Sequence, residues 1–179
     1  MKIQQYLLVL LEVLFPYMLN ADITEDIHFS HIGLEEGLSH STIFAINQDK
    51  GGNLWFATYD GVNKYDGYNF TVYRHQYTHP NSIASDISRC ITMDDSDRIW
   101  IGTREGLSLY NHYKDEFSNY YYKRNGLNVA VTSIIPIKKD WLMLGTAEGI
   151  LLFDVKKHYP LLCMDCSRQL WYVRMIVSI

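Results

Sequence analysis

LWFATYDGVNKYD occupies residues 54–66, and IWIGTREGLSLYN at 99–111 restates it. A looser copy, LMLGTAEGILLFD, follows at 142–154. Aligned on Thr58, Thr103 and Thr146, the copies lie 45 and 43 residues apart, a range in which a fixed period marks stacked supersecondary units. In each copy an apolar, aromatic run ends at the Thr and an acid-Gly pair follows: Asp60-Gly61, Glu105-Gly106 and Glu148-Gly149. A second apolar run then closes on Tyr or Phe. A Gly between β-rich runs supplies the positive φ that a hairpin needs, so each copy predicts strand, tight turn, strand.

Working outward, a further β-rich run precedes each box, at 41–47, 86–93 and 129–137, and aromatic-led runs follow at 70–73 and 117–120. Four strands per period predict an all-β chain of β-propeller blades, each a four-stranded antiparallel sheet. The third copy departs from the others. Met143 stands where Trp55 and Trp100 stand, and Lys138-Lys139-Asp140-Trp141 replaces an Asp-x-x-Gly turn, which leaves that blade's register open.

The ends carry partial patterns. Residues 27–32 resemble a fourth strand without its first three, and read as an outer strand that closes the ring; residues 173–177 resemble 88–92, the first strand of a blade. The 158 residues after Ala21 make about three and a half blades, against roughly four to eight in closed propellers, so the sequence reads as the N-terminal piece of a longer chain. The expected organisation is a signal peptide or uncleaved anchor at 1–21, a lead-in with the closing strand at 22–38, blades at 39–82, 83–125 and 126–162, and the start of a fourth blade at 163–179.

Lys2, the apolar stretch from Tyr6 to Phe15, and the small Ala21 before an acidic start have the order of a secretory signal. Glu12 and Leu19 fit it poorly, and an uncleaved anchor is the rival, although the run is short of the roughly 20 residues a span needs. Either way the blades are expected to face an extracytoplasmic compartment. Hydrophobic residues make up 47% of the chain and aromatics 14%, enough for inward-facing strands, while a formal charge of −4 supplies no basic footprint for nucleic acid.

Cys163-x-x-Cys166 has redox or half-zinc spacing, but no second ligand pair follows it. A disulfide is conceivable, an incidental pair the preferred reading. Cys90, in an apolar strand, reads as a small buried hydrophobe. His28 and His31 would point to opposite faces of a strand, and His75 and His79 lie in a loop, so no metal site is expected. No phosphate loop, nucleophile elbow or repeating carboxylate pair is present, and neither catalysis nor a cofactor is expected.

Trp55 and Trp100 occupy one place in the repeat, which assigns them to packing between blade sheets. Gly61, Gly106 and Gly149 are likewise structural. Recognition belongs where the copies differ. After the box Thr stand Tyr59, Arg104 and Ala147, and the first strands open on His40-Ser41 and Ser85-Asp86; these loops gather at one mouth of the central channel.

Residues 29–73, and most specifically the DGVNKYDG stretch at 60–67, resemble the regulator-propeller repeats in extracytoplasmic sensors of Bacteroides-type hybrid two-component systems, over about 26–159 of the chain. The resemblance implies a pair of propellers, a β-sandwich, a membrane span, a histidine kinase and a response regulator; only propeller repeats are expected here. It implies a periplasmic module that binds an oligosaccharide, dimerises in its full-length parent, and meets the membrane only through that parent or an uncleaved N-terminus. Tyr59 would stack on a sugar ring, while Arg104, Glu105 and Asp86 would bond its hydroxyl or acidic groups. The alternatives are the sensor of a cyclic-dinucleotide synthase, a fragment of a propeller polysaccharide lyase, and an inactive truncated product.

Overall fold

Three four-stranded antiparallel sheets follow one another along the described residues, each with its strands in sequence order. The structure, a computed structural model, describes residues 29–138 and 140–164. The leader at 1–21, Cys166 and the strand expected at 173–177 lie outside the described residues. Blade 1 contains β1 (Ile43–Gln48), β2 (Leu54–Thr58), β3 (Val62–Tyr65) and β4 (Phe70–Tyr73). Blade 2 contains β5 (Ser88–Met93), β6 (Ile99–Thr103), β7 (Gly106–Asn111) and β8 (Glu116–Tyr120). A small hairpin, β9 (Lys123–Arg124) and β10 (Leu127–Asn128), leads into blade 3, built from β11 (Val131–Lys138), β12 (Trp141–Thr146), β13 (Gly149–Asp154) and β14 (Tyr159–Met164).

The box Thr is more than an alignment mark. In every blade its hydroxyl donates to the carbonyl of the turn glycine, at 2.9 Å from Thr58 to Gly61, 3.0 Å from Thr103 to Gly106 and 2.8 Å from Thr146 to Gly149. The same oxygen accepts the N–H of the turn acid at 3.1–3.2 Å. The clasp closes the hairpin between the second and third strands. The turn itself needs glycine. Gly106 lies at φ +150° and a Cβ there would run into the Tyr120 carbonyl; Gly61, at +92°, faces the Tyr73 carbonyl in the same way.

The third blade, left open by sequence, keeps the register of the first two around the box Thr, with further slips of its own between Pro136 and Lys138 and between Leu152 and Phe153. Thr146 pairs with Val131 as Thr58 pairs with Ile43 and Thr103 with Ser88, and Met143 faces Ile135 where Trp55 faces Asn47 and Trp100 faces Thr92. Its last strand runs to Met164, so Cys163 belongs to the fourth strand of blade 3 rather than to the start of another blade. The closing strand expected over 27–32 is absent from its described part, 29–32. A strand persists only where a neighbour takes its N–H and C=O groups, and no sheet among the described residues includes this segment.

Neighbouring blades come closest at β1, β5 and β11, which puts the first strand of each blade innermost. The two seams share two positions, the box Trp of one blade and the aromatic that closes the box of the next. Between blades 1 and 2 sit Trp55, Ile83, Tyr110 and Phe117; between blades 2 and 3 sit Trp100, Leu142, Leu144 and Phe153. Trp55 meets the edge of Tyr110 at 4.7 Å, and Trp100 meets Phe153 at 5.9 Å. With 1% and 0% of their surface exposed, both indoles pack as expected. A second layer ties the first seam: the Tyr73 and Tyr110 hydroxyls both donate to Asp115 Oδ1 at 2.6 Å. His75, in the loop that leads to blade 2, is half-buried, its Nδ1 2.8 Å from the Ile83 carbonyl. Cys90 is half-buried, and burial pushes its thiol up to about 11.

Candidate functional site: a bulge-borne aromatic and cationic cluster at one mouth

The alternation of antiparallel strands sends the second-to-third hairpins and the connections between blades to the same end of the stack. The Thr-clasped turns therefore stand beside the entries to β1, β5 and β11. Backbone bonds join the two sets: Tyr59 N–H donates to the Thr42 carbonyl at 3.3 Å, Arg104 N–H to Ile87 at 2.9 Å, and Gly61 N–H to Asp86 at 2.6 Å.

The turn acids are committed to this frame. Asp60 takes the Arg74 guanidinium in a fork, at 3.1 and 2.8 Å, and those bonds hold its carboxyl below the usual carboxylate range despite partial burial. Glu105 accepts from Asn128 Nδ2 at 2.9 Å, and Glu148 pairs with Arg124 at 2.7 Å. Asp86 Oδ1 accepts the His75 N–H at 2.6 Å while its carbonyl serves Gly61. Of the four residues singled out by sequence, Asp86 and Glu105 thus hold loops together. Tyr59 and Arg104 present their side chains outward, Tyr59 with half its surface exposed.

A further feature sharpens the mouth. The first strand of every blade is bulged at the same place: the register slips between Ile43 and Ala45, between Ser88 and Cys90, and between Val131 and Ser133. The extra residues are Phe44, Arg89 and Thr132. A bulge re-aims the side chain it carries, and all three are exposed on the innermost strands. The Arg89 guanidinium lies over the Phe44 ring, 5.0 Å from its centroid. Tyr59 leans on Phe44 at 6.5 Å and on His40 at 5.5 Å. Among the described residues neither Arg89 nor Arg104 has a carboxylate partner.

The result is an aromatic platform of Tyr59, Phe44 and His40 flanked by two guanidinium groups. Flat apolar faces receive a ring, and guanidinium forks receive hydroxyl or acidic oxygens. Sequence reading placed His40 in a mouth loop but missed Phe44, although a signal existed. Position 44/89/132 varies as Phe, Arg, Thr in the middle of a strand whose flanking positions stay small or aliphatic.

Sheets of this order, related by the period of the box, are blades of a β-propeller. Residues 37–60 and 82–105 match the family model of the two component regulator propeller, and the chain carries these repeats. Among known proteins, a protein of Formosa agariphila named histidine kinase P4 is 47% identical over 49 residues, which are 27% of this chain and 4% of that one. The crystal structure of the extracellular domain of the hybrid two component system BT3049 from B. thetaiotaomicron superposes with a TM-score of 0.67 at 32% identity, over 77% of this chain. The extracellular domain of BT4673 from the same organism, at 17% identity and a TM-score of 0.59 over 72% of this chain, shares the fold. The chain spans a fifth of the length of each of these two domains.

Proposed function

We propose that this chain is the ligand-binding propeller of an extracytoplasmic two-component sensor, that its ligand is an oligosaccharide, and that the mouth described above receives it. Propeller repeats of the two-component regulator class and likeness to extracellular sensor domains support the sensor class. One observation carries the ligand reading: three bulges at one register aim Phe44, Arg89 and Thr132 at the mouth where Tyr59 and Arg104 stand. A sugar presents an apolar C–H face to a stacked ring and hydroxyls to its rim, and this mouth offers partners for both. The unneutralised Arg89 and Arg104 favour a ligand with an acidic group.

In this reading the module lies in the periplasm, and ligand occupancy biases a dimer of the full-length parent between two arrangements that a histidine kinase reads. Calorimetric titration with a panel of neutral and uronic-acid oligosaccharides is the test. Saturable binding of at least one member, lost on Tyr59→Ala, is the expected result; a panel without any binder overturns the ligand class.

A further inference from the structure

The seam between blades 2 and 3 holds a cleft of about 470 Å³, and the seam between blades 1 and 2 shows what is missing from it. There Ile83, fully buried, plugs the entry, and the next residue, Ala84, donates its N–H to Ser108 on β7 at 3.2 Å. Leu38 does the same for blade 1, followed by Ser39, whose N–H reaches Asn63 at 2.9 Å. Blade 3 lacks both parts. The position 43 residues after Ile83 is Gly126, at φ +80° in the β9–β10 hairpin with open space around it, and the polar anchor is replaced by Leu151.

A second loss coincides with the first. Phe117 stands edge-on to Tyr73 at 5.3 Å and lies 5.4 Å from Tyr110. Its counterpart in blade 3 is Pro160, since Phe153 pairs with Pro160 as Tyr110 pairs with Phe117. Tyr120 and Phe153, the counterparts of Tyr73 and Tyr110, are therefore left 5.2 Å apart without the third ring. Their floor is apolar: Val129, Val131, Leu144 and Leu151. The acid that takes the hydroxyls in the first seam, Asp115, is replaced by His158, packed 5.3 Å from the Tyr120 ring, and Lys123 lines the same cleft.

We infer that this cleft is a second binding site, distinct from the mouth, for a small ligand consisting of an aromatic ring with a carboxylate. The ring takes the place that Phe117 fills one blade earlier, and the carboxylate meets Lys123 at the rim of the cleft. A sugar does not suit the floor, because each hydroxyl buried without a partner costs about 1–3 kcal/mol. The volume lies within the range of small-molecule sites.

Titration of the full chain with 2-naphthoate, followed by its fluorescence, tests the site. Saturable one-to-one binding is expected. Pro160→Phe, which refills the cleft, weakens it by at least about tenfold, the effect of losing one buried contact of about 1.4 kcal/mol. Lys123→Gln, at an exposed position, weakens 2-naphthoate by about tenfold as well and leaves the neutral 2-naphthalenemethanol unchanged. The proposal is overturned by absence of saturable binding, by equal effects of Lys123→Gln on acid and alcohol, or by a loss seen in Tyr59→Ala, which would place the ring at the mouth. Should Pro160→Phe fail to fold, the Lys123→Gln comparison decides alone.

Discussion

Trp100 donates its indole N–H to Asp94 Oδ2 at 2.8 Å, and 45 residues earlier Trp55 does the same to Asp49 at 2.9 Å. The Asp-x-x-x turn between the first two strands is thereby bolted to the largest side chain of its seam. In blade 2 the same carboxylate takes Arg98 Nε at 2.6 Å and the N–H groups of Ser96 and Arg98. Asp94→Ala strands a buried indole N–H and is expected to cost about 2–3 kcal/mol. Trp100→Ala, like Trp55→Ala, costs about 3–5 kcal/mol through the cavity it leaves. Urea denaturation checks both, and the double variant Asp94→Ala/Trp100→Ala should fall short of the sum because the two residues share one interaction.

The clasp of Tyr73, Tyr110 and Asp115 gives the first seam a pH signature. The two hydroxyl donors hold the Asp115 carboxyl below its ordinary value. A carboxylate depressed in the folded state stabilises above its unfolded pKa, so this contribution is complete above about pH 4 and is lost as the pH falls through the lower folded value. Burial pushes the Tyr110 hydroxyl up to about 12 and raises Tyr73 as well. Their contribution is complete below about pH 10 and is lost as the pH rises toward the folded value. Melting temperature against pH should fall at both ends, and Asp115→Asn should flatten the acid limb.

At the hairpins, Thr103→Val keeps shape and removes the hydroxyl that serves both the Gly106 carbonyl and the Glu105 N–H. A loss of about 1–2 kcal/mol is expected, since a buried carbonyl and a half-buried N–H each lose a partner. Gly106→Ala should cost more than about 1 kcal/mol, because the backbone there suits glycine and the added methyl meets the Tyr120 carbonyl. Thermal melts of the two variants distinguish the contributions; a neutral Thr103→Val would show that water replaces the clasp.

At the mouth, Tyr59→Ala and Arg104→Ala are each expected to weaken oligosaccharide binding by at least about 1 kcal/mol, the scale of a lost hydrogen bond to a charged group. Phe44→Ala and Arg89→Ala should behave alike, since the bulge residues share the platform. Melting temperatures should stay within a degree or so of the parent's, because exposed positions contribute little to stability. Unchanged affinity in all four, against an oligosaccharide that binds the parent chain, moves the ligand away from this end.

Blade order and the three clasped hairpins were legible because their determinants are local: an acid-Gly pair between β-rich runs leaves few conformations. The indole bonds were not legible, because Asp49 and Asp94 look like ordinary turn residues until the turn folds back over the strand. Blade 3 looked irregular because Met143 replaces a Trp, yet backbone register depends on the Thr clasp and pairing rather than on that side chain. The bulges left only a faint trace, since an extra residue disturbs the period-2 alternation without introducing a distinctive residue type. Asn125-Gly126 is a strong hairpin signal by itself, with both residues at positive φ in the structure; its place between two blades hid it inside an expected loop. Tyr59 and Arg104 were found as departures between copies, while the duties of Asp86 and Glu105 depend on His75 and Asn128, distant partners that no local pattern announces.

The missing plug has a consequence for how the stack comes apart. Blades packed face to face behave as a row of units whose stability is the sum of each unit and its shared faces. The first shared face has a plug, a third ring and a tyrosine-carboxylate clasp, whereas the second has a cleft where those stood. Partial opening therefore starts at blade 3, as a subglobal event separate from complete unfolding. Amide protons of β11 to β13 should exchange through that smaller opening, while those of β2, β3, β6 and β7 wait for the rarer, larger one. Any ligand that fills the cleft would merge the two events into one.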